Sequence, residues 1–238
     1  MSLGVPLSAL AKQFLRISGV ENPTDAQVEK ETQLLYSKYE QHGKDWLALA
    51  PKTLFVIASG NDGQDNDALP TFPANVEAEN KISVGASQGF TSLATFSNYG
   101  EKTVDIVAPG VAELSSVPHL NGKEMLPMSG TSMAAPYIAG VASKLKDINK
   151  NLTAVNMKNI LMSTVDKKDW LKSKVVSEGV VNPARAYKAA ELSLTLSVDI
   201  AIQLASTIIP DVTEESMSFL SNQSISPEIK KSAGQFIF

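Results

Sequence analysis

Three short apolar runs, each followed by a turn-forming segment, constrain the fold of this chain more than any other feature of its sequence. The first covers residues 53–59 and leads directly into Gly60-Asn61-Asp62-Gly63, and the other two centre on residues 82–86 and 104–108. Continuous apolar runs of this length are typical of parallel strands buried on both faces. Because long connections separate the three runs, the sequence predicts an α/β fold built on a parallel sheet.

A cluster of small residues, SGTSMAAP at 129–136, surrounds one serine, Ser132, just before a helical pattern. Ala135, Ile138 and Leu145 recur at helical spacing, so we predict a helix that begins at or near Ser132. Pro136 falls in the first turns of that helix, where a missing N–H costs little. Since the amino end of a helix offers N–H groups and a positive dipole end to a developing oxyanion, Ser132 is the candidate nucleophile.

Residues 24–50 predict an amphipathic helix or a pair of helices before the first strand. A Thr and a Gln three positions apart at its start have the spacing of a capping box. Val28, Leu35 and Leu49 share a seven-residue spacing, which indicates a buried seam. His42 falls on the same spacing, and we therefore expect it to be partly buried.

The C-terminal part of the chain is predicted to hold two further helices, one at residues 152–164 and one that begins at Pro183 after a short strand. Beyond Leu192 the pattern of apolar and polar residues changes. In TLSVDIAIQL, residues 195–204, apolar residues alternate with smaller or polar ones, which predicts a half-buried strand rather than a helix. The terminal QFIF, residues 235–238, is expected to be packed rather than exposed, with no partner surface assigned.

Several segments match, in order, motifs of one family. Residues 130–136 match position by position the G-T-S-M-A-x-P nucleophile motif of the subtilase family of serine proteases, and residues 58–63 resemble its A-G-N oxyanion segment. Four further segments resemble the family in the same order: 82–86, 94–100, 105–110 and 179–190. The resemblance covers about residues 53–190 and implies the three-layer α/β fold of the subtilisin type, with a parallel sheet.

The resemblance implies roles for residues on both sides of a substrate cleft. Ser132 would be the nucleophile, and the side-chain amide of Asn61 would bind the oxyanion together with the backbone N–H of Ser132. The start of the chain resembles the family strand whose backbone pairs with extended substrate. On that basis two opposite walls are predicted to bind substrate: Ser2, Leu3 and Gly4 on one side, and Ala58, Ser59 and Gly60 on the other.

The family's D-T/S-G turn, with the catalytic Asp, and its H-G-T-H-V segment, with the catalytic His, do not occur in this sequence, whose only histidines are His42 and His119. The resemblance therefore implies the C-terminal part of a catalytic domain, with an incomplete sheet that lacks its N-terminal strands. We assign residues 1–192 to this part, including an enlarged helical segment at 8–52, and residues 193–238 to a C-terminal extension. An upstream segment of the same protease domain is the expected partner that supplies the Asp and the His. Without a base a serine hydroxyl is a weak nucleophile, so the chain alone is expected to be nearly inert.

The predicted function is hydrolysis of peptide bonds in polypeptide substrates by a subtilisin-type serine endopeptidase, through an acyl-enzyme. The alternative is a non-catalytic module of the same fold that binds peptides or partner chains through the cleft. A formal charge of −4 without a basic stripe argues against nucleic acid as a partner. No apolar run approaches the roughly 20 residues that span a bilayer, which argues against a membrane. The compartment stays open, although for a full-length parent we favour secretion or the periplasm.

No cofactor is expected for catalysis, and no residue is assigned as a metal ligand. Asp62, Asp65 and Asp67 form an acidic loop that invites a structural calcium site. Their spacing is not that of an EF-hand. We therefore expect solvated loop carboxylates rather than calcium ligands.

Overall fold

A parallel sheet organises the part of the chain that the computed structural model describes, residues 1–120 and 123–212. The strands of the described residues are β1 (Val5–Pro6), β2 (Phe55–Ala58), β3 (Thr71–Phe72), β4 (Lys81–Gln88), β5 (Ser92–Leu93), β6 (Ile106–Pro109), β7 (Glu113–Leu120), β8 (Lys123–Met128), β9 (Asp166–Lys167) and β10 (Gly179–Val180). The main sheet has the order β2-β4-β6-β10-β9 with β5 paired to β4, whereas β1 with β3 and β7 with β8 form two separate antiparallel pairs. The helices are α1 (Leu7–Ile17), α2 (Asp25–Ala48), α3 (Thr131–Ile148), α4 (Ala154–Ser163), α5 (Pro183–Leu192) and α6 (Val198–Ile208). None of these helices is both long enough and apolar enough to cross a lipid bilayer.

The three apolar runs form the parallel strands β2, β4 and β6, as predicted. Strand β4 lies between the other two, with Val56 beside Ile82 and Val84 beside Ile106. Strand β10 continues the sheet parallel to β6, and β9 ends it antiparallel to β10. Because parallel strands run in one direction, the loop after β2 and the segment after β6 leave the sheet at the same carboxyl edge.

Helix α3 covers one face of the sheet and fixes the place of the candidate nucleophile at its amino end. Its Ala134, Ile138 and Leu145 are fully buried in the same apolar cluster as Ile82 of β4. Helices α4 and α5 contact α3, and α6 packs on α4 and α5. A smaller cluster around Val107 forms on the other face, because neighbouring residues of a strand point to opposite sides.

The N-terminal helical segment consists of α1 and α2, and the buried face of α2 differs from the predicted one. The capping box is present, since the side chains and N–H groups of Thr24 and Gln27 bind reciprocally. The predicted seven-residue seam is wrong at its C-terminal end: Leu49 is 83% exposed and His42 is exposed, whereas Leu47 is fully buried. A helix has 3.6 residues per turn, so a seven-residue spacing drifts off the buried face over several turns.

The C-terminal segment forms a helix, α6, where a strand was predicted, and that prediction is wrong. The hydroxyl oxygen of Ser197 accepts the N–H of Ile200 and so caps the helix. Ala201 and Ala205 are fully buried at helical spacing, and their small side chains let α6 lie close to α5. The expectation that residues 235–238 are packed lies outside the described residues.

Candidate active site

Ser132 is the second residue of α3, as the small-residue motif predicted. The first N–H groups of a helix have no acceptor within the helix, so the N–H of Ser132 is available to an external oxygen. The partly buried side chain of Ser132 donates a hydrogen bond from Oγ to the carbonyl oxygen of Ser2, at 3.1 Å. The candidate nucleophile therefore faces the N-terminal segment of the chain.

The side chain of Asn61 lies against the amino end of α3. Its Oδ1 accepts two hydrogen bonds from Thr131, one from the backbone N–H at 2.8 Å and one from Oγ1 at 2.9 Å. With Oδ1 held in this way, Nδ2 has the position of the free donor of the amide, and a Cβ placed on Gly130 would lie 3.5 Å from it and 3.7 Å from Oδ1. The structure thus brings Asn61 and Ser132 together, with an amide donor beside the start of the helix.

A buried asparagine, Asn98, shapes the loop that presents Asn61. Its Oδ1 accepts the backbone N–H of Asp62 at 2.8 Å, and its Nδ2 donates to the carbonyl of Ser59 at 3.3 Å. Gly60 lies between them with φ of +115°, and a Cβ on Gly60 would come within 2.4 Å of Asn98 Nδ2. Sequence reasoning found Asn98 only as part of a motif, because an Asn before Tyr-Gly reads as an ordinary turn residue.

The predicted substrate-binding residues, with one exception, line a single cleft of about 280 Å³. Its lining consists of Ser2, Leu3, Gly4, Pro6, Ala58, Gly60, Asn61, Asp62, Thr71, Thr131 and Ser132. The exception is Ser59, which is fully buried, donates its N–H to Val84 and donates its Oγ–H to the carbonyl of Asn98. Its side chain is therefore not available to a ligand in the cleft.

The N-terminal wall of the cleft is held by strand-like pairing with β2. The carbonyl of Met1 accepts the N–H of Ala58 at 3.0 Å, and the amino group of Met1 donates to the carbonyl of Val56. Burial lowers the pKa of that amino group below its usual value. Ser2, the next residue, is thereby brought beside Ser132.

His42 does not line the cleft that contains Ser132. His42 lines a separate apolar cleft, with Met1, Leu3 and Trp46 among its neighbours, and the side chain of His119 lies outside the described part of the chain.

Asp67 accepts hydrogen bonds from Thr103 Oγ1 at 2.6 Å and from the N–H of Lys102 at 3.1 Å. It is thus a loop anchor rather than the solvated carboxylate we predicted.

A family model described as the subtilase family matches residues 1–186. Alkaline elastase YaB of Bacillus sp. (strain YaB) is 43% identical over 117 residues, which are 49% of this chain and 29% of that protein. Subtilisin-like protease 2 of Plasmodium falciparum is 32% identical over 149 residues, 61% of this chain and 10% of that protein.

Solved structures agree on the fold. The A-subunit of the AB5 toxin from E. coli has a TM-score of 0.55 at 25% identity, and the match covers 65% of this chain and 56% of that one. The chain spans less than a third of the length of either sequence relative named above. The similarity therefore concerns one part of those longer proteins.

Proposed function

This chain belongs to the subtilase family, and we propose that it supplies the nucleophile and the oxyanion hole of a subtilisin-type serine endopeptidase. The observation that carries the proposal is the pair of hydrogen bonds by which Thr131 holds Asn61 beside Ser132. They orient the Asn61 amide, whose Nδ2 is proposed to be the donor for the charge that develops during attack on a carbonyl. Such a donor acts strongly because it is oriented before the reaction begins.

In the proposed reaction, Ser132 Oγ attacks the carbonyl carbon of the scissile peptide bond. The Oγ–C bond forms, and the carbonyl oxygen takes the negative charge between Asn61 Nδ2 and the N–H of Ser132. The base takes the Oγ proton as the Oγ–C bond forms and gives it to the amine when the C–N bond breaks, which leaves an acyl-enzyme on Ser132. Water then gives a proton to the base and attacks the ester, the base returns that proton to Ser132 Oγ as the ester C–O bond breaks, and the acid product leaves. This chain supplies the nucleophile and both oxyanion donors of the proposed reaction, and no cofactor is proposed.

The base is proposed to come from an upstream segment of the same protease domain. The present partner of the Ser132 hydroxyl is the carbonyl of Ser2, and an amide carbonyl is far too weak a base to take its proton. Loss of triad members costs roughly 10⁴–10⁶ in turnover, a magnitude measured on a subtilisin itself. The chain alone is therefore proposed to be nearly inert.

The proposed substrate is an extended polypeptide that lies between the two walls of the cleft. Ser2, Leu3 and Gly4 would offer backbone groups for strand-like pairing on one side. Ala58 and Gly60 would form the opposite wall, since both line the cleft. Ser59 is left out of this proposal because it is buried.

A second candidate, a non-catalytic peptide-binding module, is favoured by two observations. The Ser132 hydroxyl is engaged with Ser2, and no histidine lines the cleft among the described residues. In such a module the cleft would bind peptide without cleaving it. The two candidates differ in whether Ser132 becomes nucleophilic when an Asp and a His are supplied.

Labelling with a fluorophosphonate probe separates them. The chain alone is compared with the same chain joined to a segment that carries the family's Asp and His motifs, and Ser132→Ala serves as the blank. The protease proposal requires labelling of Ser132 in the joined form only. Absence of labelling in a joined form that is folded and binds peptide would favour the module instead.

A further inference from the structure

Three buried asparagines connect helix α2 to the loop that carries Asn61, and we call Asn75, Asn66 and Asn98 the asparagine network. Asn66 and Asn98 are fully buried, and Asn75 is 5% exposed. Asn75 Nδ2 donates to the carbonyl of Asn66 at 2.7 Å, and Asn98 Nδ2 donates to Asn66 Oδ1 at 3.0 Å. Because buried amides are costly unless each is bonded, a change at one member of the network is transmitted to the others.

The network ends at the backbone on both sides of Asn61. Asn66 Nδ2 donates to the carbonyl of Ser59 at 2.9 Å, just before Asn61 along the chain. Asn98 Oδ1 accepts the N–H of Asp62 at 2.8 Å, directly after it. Since the backbone is held on both sides, the network fixes the point from which the Asn61 side chain leaves the loop.

Tyr36 of α2 holds the other end of the network. Its hydroxyl donates to the carbonyl of Asn75 at 2.8 Å, and its side chain is half-buried. Burial raises the pKa of Tyr36 above its usual value, and the charges of Glu40 and Glu77 add to that shift. The hydroxyl therefore keeps its proton and stays a donor at alkaline pH as well as at neutral pH.

Two further contacts hold α2 against the segment that follows Asn61. Gln33 Nε2 donates to the carbonyl of Ala68 at 2.9 Å. At Gly43 the helix lies so close to Val76 that an added Cβ would be 2.5 Å from the Val76 side chain. Tyr36 lies between these two contacts along the helix, so its position is set by the packing of α2 rather than by the loop.

We propose that Tyr36 is a positioning residue for Asn61, on which it acts through the asparagine network. Without the hydroxyl of Tyr36, the carbonyl of Asn75 loses this donor and the loop samples arrangements in which Asn61 Nδ2 is displaced from the oxyanion. A small displacement of such a group lowers turnover without preventing substrate binding. The consequence for turnover rests on the proposed function, whereas the effect on the loop does not.

Amide hydrogen exchange of the chain alone tests the effect on the loop, with Tyr36→Phe as the variant. We expect the N–H of Asp62 to exchange roughly three- to tenfold faster, as the loss of one hydrogen bond implies, while the amides of β4 and β6 keep their rates. Tyr39→Phe is the matched control, because Tyr39 lies on the same helix, is 44% exposed and packs its ring on Phe72. It should leave the Asp62 rate unchanged.

Two results of this measurement would overturn the proposal. Equal acceleration in β4 and β6 would mean that Tyr36→Phe lowers the stability of the whole fold rather than releasing the loop. An Asp62 rate that does not change would mean that Tyr36 is not coupled to the loop.

Turnover in the joined protease tests the consequence for Asn61. Tyr36→Phe should lower kcat roughly three- to tenfold and leave KM nearly unchanged. In an Asn61→Ala background the same substitution should lower kcat no further, because the amide that Tyr36 positions is gone. Additive losses would show that Tyr36 does not act through Asn61, and the proposal would then be wrong.

The two measurements distinguish a failure of this proposal from a failure of the protease function. A joined parent chain with neither turnover nor labelling of Ser132 refutes the protease function, and exchange in the chain alone then decides whether Tyr36 holds the loop. Normal turnover in the joined parent together with an equal kcat for Tyr36→Phe refutes the positioning role alone.

Discussion

The hydroxyl of Ser2 donates a hydrogen bond to the backbone carbonyl of Ser132, at 2.8 Å. That carbonyl lies four residues before Pro136, so the N–H that would normally bind it inside α3 does not exist. In return, the Ser132 hydroxyl donates to the carbonyl of Ser2. The two serines thus join the N-terminal wall of the cleft to the helix that carries the candidate nucleophile.

This relationship predicts that Ser2 and Pro136 are energetically coupled. Ser2→Ala should lower the free energy of unfolding by about 0.5–1 kcal/mol, the net value of one hydrogen bond near the surface. In a Pro136→Ala background the new N–H binds the Ser132 carbonyl, and Ser2→Ala should then cost little. Urea denaturation of the four chains of this double-mutant cycle measures the coupling. Equal costs of Ser2→Ala in both backgrounds would show that the hydroxyl does not serve the orphaned carbonyl.

Substitutions at Asn61 should separate its contribution to stability from its proposed role in binding the oxyanion. Asn61→Asp keeps an acceptor for both donors of Thr131 and places a negative charge at the amino end of α3, which is favourable. We expect it to be as stable as the parent chain, whereas Asn61→Ala should lose about 1–2 kcal/mol. Thermal and urea unfolding provide this comparison.

The same two variants have a second expected result in an active, joined protease. Both lack the Nδ2 donor, so both should lower kcat by about 10²–10³, a magnitude measured on a subtilisin. Asn61→Asp would then be a stable protein with an impaired reaction. A joined Asn61→Asp variant that retains full kcat would contradict the oxyanion role.

Gly60 should tolerate no side chain. Its φ of +115° is unfavourable for other residues, and a Cβ would lie 2.4 Å from Asn98 Nδ2. We expect Gly60→Ala to lower the free energy of unfolding by about 2 kcal/mol or more. Gly140 is the matched control, because it lies within α3 and a methyl group added there would have no atom within 4 Å. Gly140→Ala should raise stability by about 0.5–1 kcal/mol, and a similar loss at both positions would rule out the steric explanation.

Asp166 should stabilise the fold more at acidic pH than at neutral pH. Burial raises the pKa of Asp166 above its usual value, and hydrogen bonds from Asn182 and Val212 and the charge of Arg185 oppose that shift without cancelling it. Among the described residues its Oδ2 has no hydrogen-bond partner. The native state therefore binds the proton of Asp166 more tightly than the unfolded chain does. Asp166 stabilises the fold at a pH below the pKa that it has in the unfolded chain. This contribution is lost as the pH rises through the raised pKa of the native state.

The expected result is a difference in unfolding free energy between the parent chain and Asp166→Asn that is larger near pH 4 than at pH 7. Urea titrations across this range measure it. Asp147 is the control with the opposite sign, since hydrogen bonds from Lys150 and Lys144 lower its pKa to about 2. The contribution of Asp147 should shrink as pH falls toward that value. A parent-minus-variant difference for Asp166 that falls on acidification would contradict the assignment.

The sequence by itself determined the central parallel strands of the sheet and the placement of the two candidate catalytic side chains, Ser132 at the start of a helix and Asn61 after a strand. The apolar runs at β2, β4 and β6 are long enough to be buried on both faces, and turn-forming residues follow each of them, so few other structures were open to them. The small-residue turn before α3 and the Asn after β2 are equally local. Ser132 and Asn61 could be predicted because short segments of backbone hold them.

Only the tertiary structure decided which neighbours of those residues face the cleft. Ser59 and Gly60 are adjacent in sequence, yet Ser59 is buried, since Asn98 binds it from 39 positions away. Helix α6 shows the same limit, because its alternating apolar residues fit a strand until α5 offers a surface for Ala201 and Ala205. Burial depends on partners distant along the chain, and a local pattern does not specify them.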